Sequence, residues 1–269
     1  MATQLVFSKR PKWMLSVLDS VIMIQRSSLH IVRNTDQLLG TFFQPIMFLV
    51  LFSAVFGGAI ALALPPGISY IDFLMAGIIV QTVAFGSTTT AIAICNDLQK
   101  GIVDRFRSLP MSNLAVLNGH VISDLARNGI STIVMLLVGL VIGFRSSASF
   151  TDWLMITGIL VLFTLAFSWL MAIMGVVAKS VEGVQWLSFI IIFPLTFASS
   201  AFVPTANMNA YLKAFAENQP ITQVIDSVRA LMLGQPIGNH GWIATAWCVA
   251  ILIFAIPLAT SLYRKKTVQ

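Results

Sequence analysis

Five ionised side chains, Asp97, Lys100, Asp104, Arg105 and Arg107, fall within the fourteen residues Asp97 to Pro110 of a chain in which only 10% of the residues are charged. Residues of these types, both signs interleaved with the ring of Phe106, suit ionic and hydrogen-bonded docking rather than covalent chemistry. Read as a helix, the segment puts Ile102, Phe106 and Leu109 on one face and Lys100, Asp104, Arg107 and Ser108 elsewhere. Gly101 permits a bend or a close approach, and Pro110 stops the helix. The same charges also describe a solvated topology signal, and the residues alone leave both readings open. Two further pairs, Asp124 with Arg127 and Asp226 with Arg229, are three residues apart, so each pair neutralises itself on one helical face. The first is expected at the inner membrane interface.

Other reactive side chains are thinly spread. His30, His120 and His240 lie in unrelated parts of the chain, and Cys95 and Cys248 are expected at different membrane depths, so neither a metal site nor a disulfide assembles. No G-x-x-x-x-G-K-[ST] phosphate loop is present. The nearest trace, Ala178-Lys179-Ser180, lacks the preceding glycine and reads as a short cytoplasmic turn that includes Glu182.

The elements that position these residues are membrane spans. With 57% hydrophobic and only 10% charged residues, the composition is that of an integral membrane protein. The runs 37–71, 73–96, 128–144, 153–178, 183–212 and 230–263 contain no Asp, Glu, Lys or Arg. About 20 helical residues cross the hydrocarbon core, which predicts an all-α protein of six transmembrane helices near 41–63, 73–95, 121–143, 153–175, 184–203 and 241–262. Barrel strands would alternate in polarity, and these runs do not. The charged first 36 residues lack the pattern of a cleaved signal peptide.

Placing the amino terminus in the cytoplasm puts thirteen of the sixteen Lys and Arg residues inside, leaving Arg145, Lys213 and Arg229 outside. That distribution explains the net charge of +6 and argues against nucleic-acid binding. Residues 1–36 read as a cytoplasmic arm whose amphipathic helix, over 13–35, lies on membrane lipid. Residues 37–269 form the transmembrane domain, with a coupling helix at 97–110 and a re-entrant outer segment at 204–240. Pro204, Pro220, Pro236 and Gly238 divide that outer segment into short helices, Tyr211 to Glu217 and Ile221 to Leu233, expected to cap the path with Asp226 and Arg229. Phe163, Phe167, Trp169, Met171 and Met174 could line a greasy cargo site, although helix packing accounts for them more simply.

The run Asp97 to Pro110 resembles the cytoplasmic coupling segment of ABC-2 type permeases, and more narrowly of daunorubicin-resistance-type drug exporters. The stretches 124–128, 143–145, 193–204, 215–220 and 226–229 extend the resemblance in the same order from about residue 15 to the end. It implies a permease subunit of the bacterial plasma membrane with both termini cytoplasmic, moving hydrophobic or amphipathic molecules, drugs or lipids, out of the cell. Two copies, a homodimer, would form the path. A separate ABC ATPase subunit would bind ATP and Mg, with no cofactor on this chain. Its contacts would be Asp97, Lys100, Gly101, Asp104, Arg105, Phe106, Arg107 and Pro110, with Lys179 and Glu182 as a smaller second patch.

Two rival readings remain. An ABC-2 exporter of a polysaccharide or lipid-linked glycan would need a wide aromatic cavity. A proton-coupled secondary carrier would need acidic residues in mid-membrane, whereas Asp72, Asp97, Asp124, Asp152 and Glu182 are expected near span ends. A membrane-embedded enzyme would need paired carboxylates or a nucleophile constellation that the chain does not supply.

Overall fold

A computed structural model describes residues 35–61, 64, 65, 67–100 and 113–268. The arm before residue 35, expected to be cytoplasmic and to hold an amphipathic helix, lies outside the described residues, as do Gly101, Asp104, Arg105, Phe106, Arg107 and Pro110 of the expected coupling segment. The described residues contain no strand and form nine α-helices: α1 (Thr35–Ala61), α2 (Tyr70–Gly86), α3 (Thr88–Gln99), α4 (Asn113–Ile142), α5 (Phe150–Val177), α6 (Val181–Phe197), α7 (Ala210–Asn218), α8 (Pro220–Met232) and α9 (His240–Val268).

Local chemistry explains where these helices begin. Ser69, Ser149, Ser180 and Asn209 each accept a backbone N–H at the first turn of α2, α5, α6 and α7, satisfying donors that a helix start leaves free. At α5 the cap is reciprocal, because Asp152 reaches back to the Ser149 N–H. α8 starts on Pro220, whose missing N–H costs nothing at that position. Before α2 the chain turns tightly, with the Ile68 N–H bonded to the Pro65 carbonyl at 3.3 Å and Gly67 at φ 89°, a conformation that favours glycine.

Five stretches are long and apolar enough to cross a membrane: Phe43–Ile60, Tyr70–Gln99, Val116–Ile142, Phe150–Val177 and His240–Lys266. α6 is a shorter apolar helix of 17 residues. Six hydrophobic elements thus match the sequence expectation, with two corrections. The second span is α2 and α3 joined at a break, and the fifth stops at Phe197 instead of continuing to 203. The carbonyls after Phe197 are met by side chains: Gln219 donates to Ala198 and Arg229 to Ser200. A helix end in an apolar environment needs such partners.

α2 is the hub, buried at nearly every position from Phe73 to Ala84, and it packs against α1, α4, α5 and α8. Two glycines set the closest crossings. A Cβ at Gly77 would sit 2.2 Å from the Ala201 carbonyl oxygen, and one at Gly175 would sit 2.4 Å from that of Ala91, so only glycine lets these backbones meet. The larger buried cluster gathers α2, α8 and the middle of α5. A smaller one is built from Ile94, Leu117, Val121, Ile173, Ala259 and Tyr263, at the end where Lys100, Lys179, Arg264, Lys265 and Lys266 collect. We call that end the basic end.

Candidate functional site

At the basic end, α3 finishes at Gln99, immediately before the charged segment. Its last turn is tied to two neighbours. The His120 Nε2 of α4 lies 2.9 Å from an Asp97 carboxylate oxygen, and the Gln99 side-chain amide donates to the Lys179 carbonyl at 2.8 Å. Lys266 of α9 donates to the carbonyls of Val176 and Ala178 at 2.6 and 3.1 Å, placing a cation against the carboxyl end of α5. The structure therefore brings Asp97 and Lys100 into one platform with the turn holding Lys179 and Glu182, which is exposed at the start of α6.

A polar core lies between the ends of the bundle. Asp124 is 1% exposed and accepts from Arg127 and from the Ser168 hydroxyl of α5. The Arg127 Nη2 also donates to the Gly86 carbonyl at 2.9 Å. At about 1.5 Å per residue, Asp124 lies about 12 Å inside the span that begins at Val116. The pair expected to neutralise itself on one helical face is therefore buried inside the helix bundle on both sides. Because the two charges neutralise each other and bond to neighbours, α4 carries them into the bundle.

At the opposite end, Asp226 and Arg229 meet on α8. The Arg229 guanidinium donates to Asp226 at 2.7 Å, to the Ser200 hydroxyl and carbonyl at 3.3 and 2.5 Å, and to the Phe73 carbonyl at 3.0 Å. It also stacks 3.7 Å over the Phe73 ring. One side chain thus joins α2, α8 and the turn after α6. The Met232 carbonyl closes the other end of α8 by accepting from the Ser147 N–H and the Ser146 hydroxyl at 3.0 and 2.9 Å. Pro204 opens a short 3₁₀ turn at Thr205–Asn207, and Pro220 opens α8, so these two prolines mark breaks that let α8 fold back onto the bundle.

Phe163, Phe167, Trp169 and Met171 are buried in the core, in keeping with the packing account. An aromatic file that the sequence reading passed over runs elsewhere. Ring centroids step from Trp186 to Phe189, Phe193, Phe197, Phe202 and Phe52 at 6.4, 4.8, 4.2, 4.9 and 4.4 Å. Trp186, Phe189 and Phe193 are exposed along α6. Their spacing of three and four residues was the available signal. Gln81 and Asn128 were also missed. Both are buried, and neither amide has a protein partner. Among the described residues, no group of His, Cys, Asp or Glu could hold a metal ion.

Comparison with known proteins adds to this geometry. The ABC-2 type transporter family matches residues 20–233. The chain is 30% identical to the daunorubicin resistance ABC transporter permease protein DrrB1 of Streptomyces coeruleorubidus, over 98% of this chain and 92% of that one. It is 25% identical to the probable doxorubicin resistance ABC transporter permease protein DrrC of Mycobacterium tuberculosis, over 94% and 91% of the two chains. Nodulation protein J of Rhizobium leguminosarum is 25% identical over 86% of this chain and 87% of its own.

Proposed function

The chain belongs to the ABC-2 type transporter family, and from that premise we propose that it is the membrane subunit of an exporter of hydrophobic or amphipathic molecules, drugs or lipids. Proteins of this family are multi-pass transport components whose ATP is hydrolysed by a separate ABC ATPase. The basic end is cytoplasmic, with both termini on that side, in a bacterial plasma membrane. The partner ATPase holds ATP and Mg and docks on the 97–110 segment, with the Lys179–Glu182 turn as a second contact. A second copy of this chain completes the path.

One observation carries this reading. α3 runs from the buried middle of the bundle to Gln99 and is fastened there to α4 and to the Lys179 turn. A push on the charged segment is therefore delivered to helices at mid-membrane, as a drive from an external ATPase requires. The cargo class is supported by the relatives named for daunorubicin and doxorubicin resistance and by the exposed aromatic file on α6, a surface suited to flat apolar molecules. The outer-gate role of Pro204, Pro220, Asp226 and Arg229 is supported by the way they seat α8 across the end opposite the basic one.

The test is to copurify the chain with its ATPase, place the complex in lipid and measure ATP hydrolysis against added compounds. We expect saturable stimulation by daunorubicin or another amphipathic aromatic. Stimulation by a lipid-linked glycan alone would instead favour the polysaccharide reading. Hydrolysis indifferent to every compound, or no stable complex, would overturn the proposal.

A further inference from the structure

We propose that Arg127 and Asp124 are positioning residues for transport, pinning a mid-membrane hinge at Gly86–Ser87 about which α3 swings relative to α2. The inference rests on the reading that a partner ATPase drives the chain from its basic end.

The backbone ladder changes partners at the break. The Thr90 N–H, which in an unbroken helix would bond to Gly86, bonds to the Ser87 carbonyl at 3.1 Å. The Gly86 carbonyl accepts the Thr89 hydroxyl at 2.8 Å and Arg127 Nη2 at 2.9 Å instead. Arg127 is held in turn by Asp124, which is anchored to Ser168 of α5. A carbonyl released inside a span needs such a replacement, and helices bend where one is supplied.

The two sides of the break belong to different ends of the molecule. α2 is fastened through the Tyr70 hydroxyl to the Phe202 carbonyl at 3.1 Å, through Asp72 to the Arg145 N–H at 2.9 Å and through the Phe73 carbonyl to Arg229. α3 is fastened through Asp97 to His120 and through Gln99 to the Lys179 carbonyl, and Ala91 packs on Gly175. These partners of α3 lie on α4, α5 and the Lys179 turn, whereas those of α2 lie on α8, at Arg145 and in the turn after α6. A movement of the charged segment therefore turns α3 first, and the break decides how much of the turn passes to α2.

Polar groups with no protein partner surround the break. They are Arg127 Nε, both amide atoms of Asn128 and the hydroxyls of Thr88 and Thr90. Asn128 faces Gly86 so closely that a Cβ there would lie 2.2 Å from its Oδ1. These groups let the Gly86 carbonyl exchange one donor for another as the angle changes, which gives the break two satisfied arrangements instead of one.

The test uses the complex of this chain with its ATPase in lipid nanodiscs. Spin labels are placed at Ile71→Cys on α2 and Asn96→Cys on α3, with the buried Cys95 and Cys248 replaced by Ala. The sites are about 38 Å apart along a straight helix. Trapping the nucleotide-closed ATPase with ADP and vanadate is expected to shift this distance by several ångströms. In the Asp124→Asn/Arg127→Met double variant the shift is expected to vanish and cargo moved per ATP to fall about tenfold, with Arg127→Lys restoring part of both. A constant distance in the labelled parent during ATP turnover overturns the proposal, as does a double variant with the parental shift and transport ratio. The parent measurement decides the matter if the double variant does not assemble. A complex that shows the shift but moves no amphipathic cargo would count against the proposed function and not against the hinge.

Discussion

Replacing the buried Arg229 with Met should loosen the end of the molecule opposite the basic one more than removing any other charge there. The side chain makes four hydrogen bonds and a ring contact, at 2.5 to 3.3 Å and 3.7 Å. Methionine fills the stem but leaves the Ser200 and Phe73 carbonyls without this partner and the Asp226 carboxylate without its cation. Breaking a buried ion pair costs about 3 to 5 kcal/mol. The Asp226 side chain is 26% exposed and keeps a 2.6 Å bond from Ser200, so the low end, about 3 kcal/mol, applies here. For a chain of this size that corresponds to a drop in Tm of about 6 to 12 °C. Cys95 and Cys248 are both buried, so a thiol-reactive fluorophore reports unfolding in detergent without further engineering. Lys213→Met is the control, because its pair with Glu217 is 3.8 Å long with both side chains over 40% exposed and should be worth about 0.5 kcal/mol or less. If Arg229→Met melts within about 2 °C of that control, the buried-pin assignment is wrong. An Asp226→Asn/Arg229→Met double variant should recover part of the loss, since no charge is then stranded.

Gly77→Ala and Gly175→Ala should each destabilise the fold by about 2 kcal/mol or more, because the new methyl meets backbone at 2.2 and 2.4 Å, and neither backbone can step aside. Gly158→Ala, with nothing within 4 Å, should stabilise α5 by about 0.5 to 1 kcal/mol; the same melting assay reads all three. Cys95 and Cys248 should resist a membrane-permeant maleimide in the native protein and react only on denaturation, as mass spectrometry would show. Gln99→Ala with Lys266→Met should release the Lys179 turn and the end of α5. Cargo moved per ATP should then fall severalfold with little change in Tm, measured on the reconstituted complex.

Much of this architecture was legible in the sequence because hydrocarbon imposes long apolar helices, and each uncharged run does hold apolar helix, as two pieces in 73–96 and as a shorter one in 183–212. What the runs conceal is where a helix breaks inside them. The third span, expected near 121–143, begins earlier, with α4 starting at Asn113, and the carboxylate and guanidinium that neutralise each other sit in mid-bundle. The run 183–212 gave no sign that α6 stops at Phe197, because the partners that make the stop tolerable, Gln219 and Arg229, lie more than twenty residues away. The break at Gly86–Ser87 carried a local signal, a glycine and a serine followed by three threonines, whose hydroxyls compete for backbone groups. The pairing of Asp226 with Arg229 was readable from spacing alone. Its contact with Phe73 was not, since 156 residues separate the partners.

Transport by the chain with and without its ATPase, and with the charged segment reversed, tests the central claim most directly. In vesicles with the ATPase outside, ATP should drive uptake of daunorubicin only when both proteins are present. Asp104→Lys together with Arg105→Glu should cut uptake per ATP about tenfold while the complex still assembles. Uptake by the chain alone, or undiminished uptake by an assembled charge-reversed complex, would contradict the account.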